Sequence, residues 1–380
     1  MAKRATKAKG GLRVTVVGAG HGGLATAGHI SLKGHSVRIF SFFGKELAPV
    51  AEKGGIRLEG DVEGVAKIDK VTSSIDEAVS GADLVLVNMP ALAHKNVASL
   101  LAGCLEDGQT LLLTPGRTGG ALEVYQTFRR FQCKKKVTLA ECQTFLYATE
   151  SRGPAHVEVM KVKNRVRAAA LPATDTATFM ELIGQIYPEY APCTNVLETS
   201  INNVGAVVHP APMLLNSGLL ERAAKGEDLR YYRDIITKFV CENVMEKIDR
   251  EKSDVARAFG VPVLDARGWY KECYDVEGDS LYEVLQKNRY YLGFSAPKHV
   301  LGYHHVLDEI PNSLVPISAF GAVVGVPTPM TDALVGLACA SLGHDFWAEG
   351  RTLDRLGFDD RTSADEILEF VNAGPRFWEG

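Results

Sequence analysis

No apolar run in this 380-residue chain reaches the ~18 residues that a membrane span requires. Positive charge is not in surplus either. The chain holds 42 Lys and Arg against 46 Asp and Glu, a net charge of −4, without the basic field that a nucleic-acid binder needs. Cysteine is sparse: seven residues, scattered, with no C-x-x-C spacing. An odd, dispersed set argues against a disulfide framework and a structural zinc, and for a reducing compartment, so a cytoplasmic protein with no metal is expected. Repeats and low-complexity linkers are missing as well. The first residues, MAKRATKAKGG, are basic but lack the apolar stretch of a secretory signal and read as a disordered tail.

What remains is ordinary globular composition, 46% hydrophobic and 23% charged, at a length that favours two domains. The most informative stretch is LRVTVVGAGHGGLATAGHISLKGHSVRIFS. A β-branched run ends in Gly18-Ala19-Gly20-His21-Gly22-Gly23, an Ala-rich helical stretch follows, and a second strand runs from Val37 to Ser41. Between a strand and a helix, G-x-G-x-x-G reads as a dinucleotide site. Gly18 permits the tight turn, Gly20 lets the backbone approach a pyrophosphate, and Gly23 lets helix and strand pack closely. The pyrophosphate would rest on the free N–H groups at the helix start.

NAD enzymes usually place an acid at the end of the second strand, on the ribose 2′-OH. Here that position is Ser41, and the nearest acid is Glu46. Ser41 and Lys45 could instead take a 2′-phosphate, so the expectation leans from NAD to NADP. Further strands are expected in ADLVLVNMPALAH, GQTLLLTPGRTGG and KKVTLAECQTF, giving a parallel, doubly wound sheet. Its ligand edge would hold Asn88, Pro90, His94, Thr114, Pro115, Gly116 and Arg117.

After YPEYAPCTNV the pattern changes to helices. The stretch 228–260 carries three- and four-residue apolar spacing and stops at Gly260, which predicts a helix pair or one long helix. The expected fold class is therefore α/β: a Rossmann-type sheet domain over 12–192, then an all-helical domain over 193–380. The active site belongs in the cleft between them. His209, ahead of Pro-Ala-Pro and a helix, would face that cleft as a proton donor or acceptor. Asp332, in TPMTDAL, has the context of an orienting carboxylate, although an acid near a helix start commonly caps it.

INNVGAVVHPAPMLLNSG, IDREKSDVARAFG, SLVPISAFGAVVGVPTPMTDALVGLA and EGRTLDRLGFD occur in this order. In that set the chain resembles the octopine/nopaline (opine) dehydrogenase family over roughly residues 12 to 360. The resemblance implies NAD(P)H-dependent reductive condensation of an amino acid with a 2-oxo acid such as pyruvate. It also implies a catalytic His209 with Asp332 as its partner. The substrates, small molecules, carry carboxylates, for which Arg117, Arg152 and Arg289 are candidate partners and Asn202 a weaker one. A homodimer stays open as the assembly. The other readings are a reductase of a 2-oxo acid to a 2-hydroxy acid on the same fold, or a non-catalytic dinucleotide sensor. Strict dependence on an added amine separates them.

Overall fold

Short β-branched and leucine runs that are buried on both faces, separated by helical stretches, dictate a central parallel sheet. The computed structural model describes residues 11–299 and 303–379, so the basic N-terminal stretch read as a tail lies outside the described residues. The first half builds the strands β1 (Arg13–Val17), β2 (Ser36–Phe40), β3 (Ile56–Gly60), β4 (Gly64–Ala66), β5 (Lys70–Thr72) and β6 (Leu84–Val87). It continues with β7 (Thr110–Leu113), β8 (Thr138–Cys142), β9 (Tyr147–Gly153), β10 (His156–Val162), β11 (Val166–Leu171) and β12 (Tyr190–Pro192). Eight of them form one sheet in the order β12-β11-β8-β7-β6-β1-β2-β5. From β5 to β8 every pairing is parallel. The chain leaves β1 toward β2 on one side and reaches β6 on the other, so the strand order reverses at β1.

Two features go beyond the sequence reading. β11 runs antiparallel to β8, which makes the large sheet mixed at that end. The remaining strands form a second sheet, β4-β3-β10-β9. Helix α1 (His21–Leu32) lies between the two sheets and is buried from Gly23 to Gly28. A helix covered on both sides must be apolar all round and thin, which is why it is built from Ala and Gly. At Gly28 a Cβ would come within 2.4 Å of Leu58 on β3. Helices α2 (Gly44–Lys53), α3 (Ile75–Val79), α4 (His94–Cys104), α5 (Gly120–Arg130) and α6 (Thr176–Ile183) complete this half.

The second half opens with α7 (Val196–Ile201), α8 (Gly205–Val208) and α9 (Pro210–Leu215). After a π-helical turn at Tyr231–Ile235 the backbone breaks, then runs as one helix from Lys238 to Ala258 through a further π turn at Cys241–Met245. Gly260 follows at φ +68°. Its core gathers Tyr231, Trp269, Tyr270, Leu285, Ile310, Leu314 and Val335. Burial of each such side chain contributes about 1.5–3 kcal/mol.

The last part of the chain does not stay with that core. Arg351 is fully buried against the loop after β7. The helix Ala364–Ala373, opened by a Ser363–Glu366 capping box, returns to the first half. There Phe370 and Phe377 pack on Tyr125 of α5, with ring centroids 5.1 and 6.2 Å away. Among the described residues no helix is long and apolar enough to cross a membrane.

Candidate active site

The glycine loop sits where the strand order reverses, the crevice at which open α/β sheets bind ligands. Gly18 adopts φ +116°, and a Cβ there would lie 2.5 Å from the carbonyl oxygen of Asn88. A Cβ on Gly23 would lie 1.9 Å from the carbonyl of Gly18. Gly20 has nothing within 4 Å of its Cβ position, so the space before α1 is open. The first turn of α1 carries no acid and no side chain caps it, which leaves its N–H groups for an anion. Ala19 is buried and His21 is exposed beside this space, while Gly22 backs onto the Phe145 ring. These residues fit a dinucleotide pyrophosphate.

The neighbouring strands end at the same edge. Pro90 precedes a 3₁₀ turn after β6. Pro115 follows Thr114 through a cis bond after β7. Gly116 has no room for a side chain, because a Cβ would meet the Glu141 carboxylate at 2.3 Å. His94 is buried, its Nδ1 is 3.1 Å from Arg351, and burial followed by the Arg351 charge pushes its pKa down to about 3.

The ribose end departs from expectation. Ser41 Oγ donates to Glu46 Oε2 at 2.5 Å, so its hydroxyl is committed to a carboxylate. Glu46 belongs to the first turn of α2, which folds back beside the end of β2. Glu46 is thus an acid brought to the strand end from five residues later in the chain. Lys45 is exposed on the same turn.

The second half brings an imidazole to this edge. His209 stands between α8 and α9, its carbonyl and that of Val208 both held by Tyr231 Oη. Its Nδ1 lies 2.8 Å from Glu309 Oε1. Glu309 sits between two π-helical turns, Tyr303–Asp308 and Ile310–Leu314, a local geometry frequent at functional sites. Ser313 donates to Glu309 Oε2 at 2.6 Å, and Asn203 braces both. Arg117, from the loop after β7, reaches Glu309 Oε1 at 2.6 Å. Burial alone would raise the Glu309 carboxyl, but Arg117, with His209 and Ser313, outweighs it and holds the pKa at about 2. Asp308 accepts from the Leu92 N–H after β6, so this segment abuts the loops of two central strands. The His305 ring lies 4.6 Å from that of His209.

Several expected site residues are placed elsewhere. Asp332 is not the partner of His209: it opens the helix Pro329–Leu342 and accepts from Ser318 and Thr328 at 2.6 and 3.0 Å. Asn202 is a buried brace, with donations to Glu198 and Pro262 carbonyls and acceptance from Leu264 N. Arg152 is enclosed by Glu59, Glu150 and Glu158 on the small sheet. Arg289 lies over Tyr290, exposed, along the same open groove as Arg152. Arg117 reaches the site, but its guanidinium is paired with Glu309 and Asp308. Glu309 itself escaped the sequence reading. Its signal was an adjacent pair of acids, Asp308 and Glu309, inside an otherwise apolar run. Among the described residues no cluster of three or more potential metal ligands occurs.

A Rossmann-type crevice with a half-buried histidine held by a buried glutamate at its ligand edge defines a nicotinamide-dependent oxidoreductase with a helical second half. Residues 192–342 match the family model for the α-helical domain of NAD/NADP octopine/nopaline dehydrogenases. An opine dehydrogenase of Arthrobacter sp. (strain 1C) is 37% identical over 350 residues, 92% of this chain and 96% of the relative. The fold is shared with an octopine dehydrogenase in complex with NADH and agmatine, at TM-score 0.73 and 23% identity over 94% of this chain and 98% of the other. It is also shared with a yersinopine dehydrogenase bound to NADP+, at TM-score 0.66 and 14% identity over 97% of this chain and 99% of the other. The chain belongs to the octopine/nopaline dehydrogenase family, NAD(P)-dependent oxidoreductases that act on CH–NH groups.

Proposed function

We propose that this enzyme joins the amino group of an amino acid to a 2-oxo acid such as pyruvate, forming an N-(1-carboxyalkyl) amino acid. The observation that carries the reading is the His209–Glu309 pair, 2.8 Å apart, at the ligand edge of the sheet. The amine nitrogen bonds to the 2-oxo carbon, the carbonyl oxygen leaves as water, and the resulting imine carbon is reduced. A bound reduced nicotinamide supplies the hydride for that last step. His209 takes the proton released by the attacking amine and passes it to the carbonyl oxygen, and a second proton, drawn from solvent, lets that hydroxyl leave as water, so that the hydride reaches a protonated imine. Glu309 fixes the ring through Nδ1 and stabilises its protonated form, leaving Nε2 as the nitrogen for substrate. The glycine loop and the loops at Pro90, Pro115 and Gly116 hold the dinucleotide, and confinement of both reactants beside it supplies much of the rate.

NADH is the preferred cofactor on this reading. The Ser41–Glu46 pair presents an acceptor to a ribose 2′-OH and a like charge to a 2′-phosphate. The dinucleotide is assigned to residues 12–192 and the amino acid and 2-oxo acid to the helices after 193, in a cytoplasmic protein. The test is the loss of reduced-nicotinamide absorbance with pyruvate and a panel of amino acids, each also omitted in turn. Oxidation that requires both substrates supports the reading. Oxidation with the 2-oxo acid alone overturns it in favour of a hydroxy-acid dehydrogenase.

A further inference from the structure

The loop after β7 carries a feature that cofactor binding does not explain. Arg117 adopts φ +60°, a left-handed conformation that is unfavourable for a residue carrying a side chain. Such strain persists only where the surroundings over-determine it. Here they do. Arg351 Nη1 donates to the carbonyls of Gly116 and Thr118, on either side of Arg117, at 3.0 Å each. Thr118 N donates to the Asn312 carbonyl and Thr118 Oγ1 to the Ser200 carbonyl. Gly119 N donates to Ser200 Oγ. The second half therefore grips the loop, and the loop directs one guanidinium onto the carboxylate oxygen that also holds His209.

We infer that Arg117 is a positioning residue for the acid–base pair: it acts through Glu309 on His209, and it does not bind a substrate carboxylate. The inference rests on the reading of His209 as the proton-transfer group. Its physical content is charge balance. With Arg117 present, Glu309 is a charge-paired anion that orients the imidazole. Without Arg117, a buried carboxylate would have His209 as its principal counter-charge and would hold the ring protonated to higher pH. Arg117 also keeps Glu309 from taking the proton itself. Among the described residues, the other titratable or charged groups facing this cluster are Asp308, His305, Tyr231, Tyr232, His94 and Arg351. Asp308, the second carboxylate on Arg117, is driven up by burial; Arg117 opposes that and the Glu309 charge adds to it. Arg117 is thus the main cation serving the pair, delivered by the half of the chain that carries the glycine loop.

The experiment is a double-mutant cycle on the full chain, with Arg117→Gln, Glu309→Gln and the pair together, read as kcat and both substrate KM values across pH. Arg117→Gln is expected to lower kcat about tenfold or more and to move the pH limb of turnover up by roughly one unit, with both KM values within about threefold. In the Glu309→Gln background the same substitution is expected to change neither kcat nor the pH limb, because the group through which it acts is gone. If Arg117→Gln alone fails to fold, the double variant compared with Glu309→Gln still gives the arm of the cycle in which no effect is expected. In that case Arg117→Lys, which restores a cation without the fork, should recover the wild-type pH limb. Additive losses in the cycle overturn the inference, and so does a raised 2-oxo acid or amino acid KM with an unmoved pH limb. Full activity in His209→Asn would instead sink the acid–base reading itself, so the two failures are distinguishable.

Discussion

Gly205 and Glu309 are pressed together: a Cβ on residue 205 would fall 2.1 Å from Glu309 Oε1 and 2.5 Å from Arg117 Nη1. The glycine four residues before His209 is thus the floor on which the carboxylate rests. Gly205→Ala is expected to displace Glu309, cost about 1–3 kcal/mol of stability and lower turnover at least tenfold. Melting and kcat measured on the same preparation check this. An alanine variant matching the wild type in both would show that the contact is soft.

The choice between two carboxylates is open to direct trial. Glu309→Gln should cut turnover by roughly 10² or more, since it removes the charge that orients and stabilises the imidazolium. Asp332→Asn should leave turnover within a few fold and cost about 0.5–1 kcal/mol, because Asp332 serves Ser318, Thr328 and the start of its own helix. The opposite ranking would return Asp332 to the site.

The proposed preference for NADH can be tried at Glu46, which is bonded to Ser41 at the end of β2. Replacing Glu46 with Ser removes a carboxylate from the ribose end and frees the Ser41 hydroxyl. The ratio of kcat/KM for NADPH over NADH should rise about tenfold or more, the size expected for losing one nearby like charge at an effective dielectric near 20. An unchanged ratio would place the 2′ position of the ribose elsewhere.

Acid lability should trace to His29. Burial, with the charge of Lys33 adding and that of Asp61 opposing, lowers its pKa from 6.5 to about 4. Between those values the unfolded chain binds the extra proton, so the contribution is complete above pH 6.5 and is lost as pH falls toward 4. The ring also meets Tyr147 Oη at 3.0 Å. His29→Gln should flatten the fall of melting temperature across that window. Parallel curves for the two proteins would assign the acid transition to other groups.

Local pattern made the first half readable. The run Val14–Val17, the glycine loop and the apolar stretches ending at Asn88 and Thr114 lie contiguous in sequence, and the strands formed where the β-branched and leucine residues stand. Family resemblance to the opine dehydrogenases carried the reaction and His209. The partner of His209 was different in kind. Glu309 is one hundred residues away from His209 in sequence and meets it only through tertiary packing. Asp332 offered a familiar helix-start context nearer to a recognised motif. Asn202 and Arg152 had suitable chemistry, but a single side chain says nothing about which carbonyls or carboxylates have already engaged it. Likewise the second sheet pairs β3 with β10 across nearly a hundred positions, beyond the reach of any local period.

The return of the last helix to α5 has a consequence for how the protein is made. Tyr125 and Phe128 are completed by Phe370 and Phe377, and Glu123 receives both its guanidinium partners from Arg351 and Arg355. Synthesis runs from the N-terminus, and domains ordinarily fold in that order. Here the sheet is translated first yet stays unfinished, with a buried glutamate lacking its counter-charges, until residues 351–377 have been made. The growing chain therefore carries an unsealed flank on α5 until Arg351, Arg355, Phe370 and Phe377 arrive to close it.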